Sequence, residues 1–482
     1  MNPFGKFKEE RTLDPENWDS LITLGHQMLD DMMAFLRNIR EHKITPISGE
    51  VLTRLQQPLP LTPQGYEETY KAFRENVFPF PVPGIHPCFW GFVMGTGSPF
   101  GVLAEMLAAG MNSNGPNYFA PFHVEKQVIE WLKEIMNFPK EASGVLVRGG
   151  SMANFTGLAV ARNAKAQGDI KKSGLQSLQK RMVLYASKEG HKCLTRAVEL
   201  LGLGNDSLHL VPVNEQFQID MAKLETAIKN DKEAGLHPFC IIGNAGTVNT
   251  GAFDDLSALA DLCQMEDLWF HVDGAFGAWA KLSETHGHLT RGMERADSLA
   301  FDLHKWMYMP YEIGCTLVRD KEAHCNTFIY EAEYLDNIFE HHDPTNYSVQ
   351  LSRNFKALKA WMLLKADGLE KYARIIQQNI DQAYYFAELV ENTPQLELIV
   401  PVSLNVVCFR YIAAGMSEER LKELNSQILM HLWMSGMVPS YTTLNGKYAL
   451  RVCITNHRSR REDLDRLVEE VIRIGNALSK AA

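Results

Sequence analysis

Apolar residues along this chain follow two rhythms, and the change between them marks its organisation. Near the N-terminus Leu21, Leu24, Met28, Met32 and Phe35 recur at three- and four-residue spacing, one stripe of a helix. Asp14-Pro15-Glu16 precedes it as a start signal: a capping acid, a first-turn proline and a negative charge at the positive end of the dipole. Prolines are dense from Leu55 to Pro87, which predicts short and broken structure. Residues 1–90 therefore read as a helical arm in need of something to pack against, and a partner subunit fits.

Beyond the arm, short apolar runs alternate with amphipathic segments. Gly144–Val147, Met182–Ala186, Leu208–Val213, Phe239–Ile242, Leu268–Val272 and Ser298–Phe301 read as buried strands. Helices are predicted from Val124 to Met136, Met152 to Ala166, Cys193 to Leu201 and Asp255 to Met265. This alternation predicts an α/β domain over 91–365, its mostly parallel or mixed sheet covered on both faces. In such sheets ligands bind beyond the carboxyl ends of the strands. Residues 366–482 change pattern again. Strand-like Leu396–Val400 and Val406–Ile412 precede a helix from Ser417 to Trp433. Asn445-Gly446 then joins Ser440–Leu444 to Tyr448–Ile454 as a tight hairpin, and Arg461–Leu478 closes the chain as a helix. A small α+β domain is expected there.

Charge narrows the function. The 482 residues carry 48 Lys and Arg against 58 Asp and Glu, a formal charge of −10 with no basic run, which argues against nucleic acid as a partner. No apolar stretch approaches the ~20 residues that cross a bilayer, so no membrane role is expected. Met1 to Thr12 is polar and mixed in charge, unlike a secretory leader. The eight cysteines are scattered with no CxxC pair and read as reduced thiols of a cytoplasmic enzyme, neither a disulfide framework nor a zinc site. His286-Gly287-His288 and His341-His342-Asp343 lack further ligands at a suggestive spacing, so no metal is expected.

Four positions follow predicted strands. Gly149-Gly150-Ser151 precedes a helix; it is either a phosphate cradle, with helix-start amides facing an anion, or a plain turn with a serine N-cap. Asp273, ending a buried strand, could pair with a cation in the cleft or cap a turn. Lys305, between His304 and Trp306, is either a desolvated amine able to form a Schiff base or a rim lysine snorkelling to water. His191 lies just after Met182–Ala186. Together they supply what pyridoxal phosphate needs: helix-start amides for its phosphate, a carboxylate for its ring nitrogen, and a lysine for its aldehyde.

With these residues in hand, the chain resembles the group II pyridoxal-phosphate-dependent decarboxylases, the aromatic-L-amino-acid, histidine and glutamate decarboxylase family. Gly149-Gly150-Ser151-Met152-Ala153-Asn154, the run Gly246 to Asp254, His271-Val272-Asp273-Gly274-Ala275 and His304-Lys305-Trp306 carry the likeness. The resemblance implies the fold of aspartate aminotransferase and a homodimer. Lys305 would hold the cofactor as a Schiff base, Asp273 would pair with the ring nitrogen, and Ala275 and His191 would flank the ring. Gly150 and Ser151 would hold the phosphate, Thr247 would contact the cofactor, and His304 would sit beside the lysine. Asp302 stands where many relatives have Asn, near the phosphate. Tyr334, with Tyr330 as its competitor, matches the tyrosine that protonates the substrate carbon from a loop spanning about Cys325 to Tyr347.

The resemblance also marks His86 to Gly95 as the segment lining the substrate pocket, here with Phe92 and Gly95, and places Arg353 as a support of the site. The segment is aromatic and has no cation for a side-chain carboxylate, so an aromatic L-amino acid is the expected substrate, decarboxylated through a quinonoid intermediate. An acidic or diamino acid, oxidative aldehyde synthesis and transamination are the competing readings.

Overall fold

The structure, a computed structural model, describes residues 12–114, 119–329 and 343–480. The chain forms two compact units, Met1–Pro83 and Gly84–Ala482.

In the first unit, helices span Trp18–Arg37, Gly49–Leu55 and Tyr66–Asn76. The first starts later than Asp14 suggested: Asn17 is the cap, its side chain accepting the Ser20 N–H, because an Asx oxygen two to three residues before the first free amides is the shortest way to satisfy them. The third helix runs for 11 residues inside the proline-dense stretch, whose prolines fall outside it. The Tyr70 hydroxyl donates to Asp31 at 2.8 Å and so ties the first helix to the third. Leu24, Val51 and Tyr70 are buried, whereas Trp18, Ile22 and Met28 stay exposed.

Two sheets organise the second unit. The larger contains β1 (Ser143–Val147), β2 (Met182–Ser187), β3 (Leu208–Val211), β4 (His237–Asn244), β5 (Trp269–Asp273), β6 (Ser298–Asp302) and β7 (Gly314–Val318), in the order β1-β7-β6-β5-β4-β2-β3. Strand β7, which the hydrophobic pattern did not reveal, runs antiparallel to both β1 and β6; every other neighbouring pair is parallel. β1, β2 and β4 to β7 are apolar and buried almost throughout, as expected where helices cover both faces. The helix Gly150–Lys165 crosses one face and packs on β6 and β7.

The smaller sheet holds β8 (Leu396–Leu398), β9 (Val406–Tyr411), β10 (Ser440–Leu444) and β11 (Lys447–Cys453), all antiparallel in the order β10-β11-β9-β8. Asn445 and Gly446 both take positive φ, 51° and 80°, the geometry of a two-residue hairpin. Helices Glu418–Met434 and Arg461–Lys480 cover this sheet.

A helix from Ala357 to Glu391 runs alongside both halves and turns at Gly368, whose φ of 68° is not helical. Within it, Asn379 is completely buried and fully used. Its Oδ1 accepts from Trp306 Nε1 (3.1 Å) and Tyr308 OH (2.6 Å), while its Nδ2 donates to Gln382 Oε1 (3.0 Å) and Asn456 O (3.3 Å). The segment after Lys305 is thereby pinned to the elements of the smaller sheet.

Candidate active site

The carboxyl ends of β2, β4, β5 and β6 open onto a cavity of about 770 Å³, closed on its far side by the smaller sheet. Most of the positions singled out from the sequence meet here. Gly150, Ser151, His191 and Thr247 line it, as do Asp273, Ala275, His304, Lys305 and Phe92.

β1 ends in a turn at Gly149, whose φ of 80° is the left-handed geometry that favours glycine. Gly149 itself is the N-cap of Gly150–Lys165 and has no side chain to offer, so Ser151 lies within the first turn and does not cap it. The first-turn amides are thus left without a capping side chain, at a helix end that attracts anions. Of the two readings open for this segment, the serine cap is excluded.

Asp273 ends β5, between Asn244 of β4 and Ala300 of β6. One of its oxygens accepts the Ala275 N–H at 3.1 Å; its second oxygen has no donor among the described residues. Behind it, Trp269 Nε1 and the His271 ring both meet Ser298 Oγ, at 2.8 and 2.7 Å, and His271 Nε2 lies 2.8 Å from Asn154 Oδ1. Burial pushes the His271 pKa down to about 4, so the ring is neutral and this chain holds β5 in place without adding charge beneath the carboxylate.

Lys305 Nζ lies 3.0 Å from Asp302 Oδ2. The separation is that of an ion pair, yet neither Asp302 oxygen receives a hydrogen bond of good geometry. Burial works to lower the Lys305 pKa, but the Asp302 carboxylate, assisted by Asp273, outweighs it and the net direction is upward. Asp302 is off the cavity wall, fully buried beneath it. His304 holds Ile313 O with Nδ1 at 2.8 Å, and burial lowers its pKa.

The backbone N–H of Cys193 donates to His191 Nδ1 at 3.2 Å. That bond leaves the neutral ring its proton on Nε2, and the enclosing protein lowers the pKa, so His191 presents an uncharged ring to the cavity. Thr247 Oγ1 is 3.0 Å from Thr250 Oγ1 and accepts the Ala252 N–H at 3.2 Å, which closes the loop after β4.

Besides Asp302, two expected residues are not on the wall. Gly95 packs against the lysine turn, and its N–H donates to Tyr311 OH at 3.3 Å. Arg353 pairs with Glu125 and donates to Leu146 O at 2.8 Å, holding the end of β1 from behind. Tyr334 and Tyr330 lie outside the described residues. Cys325 falls within a helix, Lys321–Phe328, so the connection expected from Cys325 begins later.

Sequence reasoning missed Asn154, Cys193, Tyr311, Trp433 and Tyr441, all on the wall. Tyr311 sets its ring 4.4 Å from that of His304; its position in the short link between β6 and β7 was the available signal. Arg451, 3% exposed, donates through Nε to Asn249 O (3.2 Å) and through Nη1 to Phe92 O (3.0 Å) and Ser440 Oγ (3.1 Å). It binds three walls together. Among the described residues, no group of three or more His, Cys, Asp or Glu side chains is placed to hold a metal ion, and no helix is long and apolar enough to cross a membrane.

The family model described as the pyridoxal-dependent decarboxylase conserved domain matches residues 49–412. An aromatic-L-amino-acid decarboxylase of Bacillus atrophaeus is 33% identical over 472 residues, covering 96% of each chain. A phenylacetaldehyde synthase of Petunia hybrida is 28% identical, covering 93% of this chain and 92% of its own. Among solved structures, Oryza sativa TDC with PLP and tryptamine superposes with a TM-score of 0.89 at 25% identity, over 97% of this chain and all of the other.

Proposed function

The chain belongs to the pyridoxal-dependent decarboxylase family, and on that premise we propose that it converts an aromatic L-amino acid to its amine and carbon dioxide. The residues present fit the family's cofactor. The uncapped amides of the Gly150 turn suit a phosphate, the open Asp273 oxygen suits a protonated ring nitrogen, and Lys305 offers a primary amine at the cavity wall. Pyridoxal phosphate supplies, when bound, the sink for the electron pair left as carbon dioxide departs.

The protein's own part is to position and to hold protons. Lys305 would attach the cofactor, and Gly150 and Ser151 would receive its phosphate. Asp273 would keep a proton on the ring nitrogen, Ala275 and His191 would flank the ring, and Thr247 and His304 would shape the walls beside it. Tyr334, with Tyr330 as the alternative, returns a proton to the substrate carbon. We divide the chain beyond the arm into a cofactor domain over 91–365 and a small domain over 366–482, a reading supported by its two separate sheets.

The observation that carries the aromatic assignment is the lining of the cavity mouth. Phe92, Tyr311, Trp433 and Tyr441 form it. Among the described residues Arg451 is the only guanidinium on the wall; Nε and Nη1 are spent on Asn249 O, Phe92 O and Ser440 Oγ, and Nη2 is enclosed without a partner, so apart from Lys305 no exposed cation faces a side-chain carboxylate. Mass-spectrometric product analysis of the cofactor-loaded protein with aromatic, acidic and basic L-amino acids tests this. An amine from an aromatic substrate, with kcat/KM at least about 10-fold above glutamate, is expected, since removing a partner for a buried charge costs well over 1.4 kcal/mol. Preference for glutamate or a diamino acid would overturn the assignment, and an aldehyde with oxygen consumption would move the chemistry to that of the synthases.

We also propose a homodimer in the cytoplasm. Exposed Trp18, Ile22 and Met28 on one helix support a partner copy, and eight free thiols suit a reducing compartment. Light scattering is expected to give twice the 54.5 kDa chain mass; an active monomer would refute the dimer.

A further inference from the structure

His191 stands on the connection after β2, residues 188–192, and most hydrogen bonds of that connection are local. Glu189 N–H donates to Ser187 Oγ at 3.1 Å, Gly190 N–H to Ser187 O at 2.9 Å, and Cys193 N–H to His191 Nδ1 at 3.2 Å. Lys188 N–H reaches Val211 O, at the end of β3, at 2.9 Å. Among the described residues, one side-chain hydrogen bond ties this connection to another wall of the cavity. In it Asn249 Nδ2 donates to Glu189 Oε2 at 2.9 Å.

Asn249 itself lines the cavity, in the loop after β4, and both ends of its amide are used. A carboxylate only accepts, so the amide nitrogen must face Glu189. Oδ1 is left to accept from Thr442 Oγ1 at 3.1 Å. Thr442 is buried at the centre of β10, between Tyr441 and Thr443 of the cavity wall. The Asn249 carbonyl accepts from Arg451 Nε of β11 at 3.2 Å and from Cys408 Sγ of β9 at 3.3 Å. A flipped amide would set Oδ1 against the carboxylate, so the orientation is fixed by its neighbours. One side chain therefore bridges the His191 connection and the substrate-facing strand of the smaller sheet.

We propose that Asn249 is a positioning residue with two arms. Its amide nitrogen, through Glu189, holds the His191 ring in place beside the cofactor. Its amide oxygen, through Thr442, holds β10 and the aromatic wall on which the substrate side chain rests. The two arms act on different quantities. Displacing a ring that flanks the reacting group falls on kcat, whereas loosening a wall that binds substrate and transition state alike falls on KM. This inference rests on the proposed use of the cavity for pyridoxal phosphate.

The test uses the full chain loaded with pyridoxal phosphate and reads circular dichroism of the bound cofactor, kcat and KM for an aromatic L-amino acid, and Tm. Glu189→Ala is expected to change the cofactor dichroism and to lower kcat about 10-fold, short of the roughly 10²-fold that a full 1 Å displacement costs. Glu189→Gln keeps an acceptor for Asn249 and is expected to restore the dichroism and bring kcat back to within about 2-fold. Thr442→Val is expected to raise KM about 5-fold, the scale of one side-chain hydrogen bond, while kcat and dichroism hold. Asn249→Ala should combine both effects, and adding Glu189→Ala to it should lower kcat no further.

A Glu189→Gln protein as impaired as Glu189→Ala would show that charge, and not the bond to Asn249, is what matters. That result, equal losses of kcat in Thr442→Val and Glu189→Ala, or unchanged dichroism in Asn249→Ala would each overturn the proposal while leaving cofactor binding intact. Absence of cofactor absorbance in the unaltered chain would overturn the functional reading and this inference with it.

Discussion

Lys305→Ala is expected to abolish covalent capture of pyridoxal phosphate and to lower kcat by about 10⁴-fold or more, the scale on which removal of a group at the reacting centre acts. The reason is visible in the geometry. Lys305 Nζ reaches the cavity wall from the segment just after β6, and among the described residues no other lysine lines that cavity. Stability should fall as well, because Asp302 would be left buried without its cation, a situation that costs up to about 3–5 kcal/mol when the charge is retained. Lys305→Arg separates the two effects. Its guanidinium keeps a positive charge beside Asp302 but does not deprotonate, so Tm is expected to recover in part while capture does not. Absorbance of the bound cofactor and thermal melts would be read side by side. Undiminished turnover in Lys305→Ala would end the case for this site.

Gly95→Ala is expected to damage the same turn from outside the cavity. A Cβ at Gly95 would lie 1.7 Å from the carbonyl oxygen of His304 and 2.6 Å from that of Lys305, both backbone atoms that cannot rotate away. Overpacking of this kind costs about 1–3 kcal/mol and sometimes more. The relief available is displacement of the lysine turn, and a shift of about 1 Å at reacting groups costs on the order of 10²-fold in rate. Loss of activity should therefore exceed what the drop in Tm explains. Gly110→Ala is the control. It sits in the helix Pro99–Met111 with nothing within 4 Å of its Cβ, so it should stabilise by about 0.5–1 kcal/mol and leave turnover alone. Wild-type kinetics in Gly95→Ala would show that the turn yields freely and that its packing does not hold the lysine.

These two residues also show what a sequence can disclose. Lys305 and Asp273 were legible because each follows or ends a run that can only be a buried strand, where a charged group is costly and so conspicuous. Gly149 and Gly150 were legible as a turn, but whether Ser151 capped the helix depended on one residue of phase that periodicity does not fix. Gly95 carried a signal of a different kind: its lack of a side chain serves close packing on the lysine turn, a contact made 209 residues away along the chain. Tyr311, Trp433 and Tyr441 had no local signal, since they reach the wall only once the smaller sheet docks. Strand β7 escaped notice because Gly314-Cys315-Thr316-Leu317-Val318 follows the lysine turn too closely for a crossover helix, and the pattern sought was strand then helix. The helix start at Asn17 was misplaced for the same reason as Ser151.

The cavity draws its two walls from different stretches of chain. Lysine, carboxylates and uncapped amides come from the larger sheet; Trp433, Ser440 and Tyr441 come from the last quarter of the sequence. Bond-breaking power and that part of substrate choice not held by Phe92 and Tyr311 are therefore separately heritable. Mutational drift in the C-terminal quarter can retune which side chain is admitted while the reaction itself is preserved, and a library confined to those positions would explore new amines without risking the chemistry that makes them.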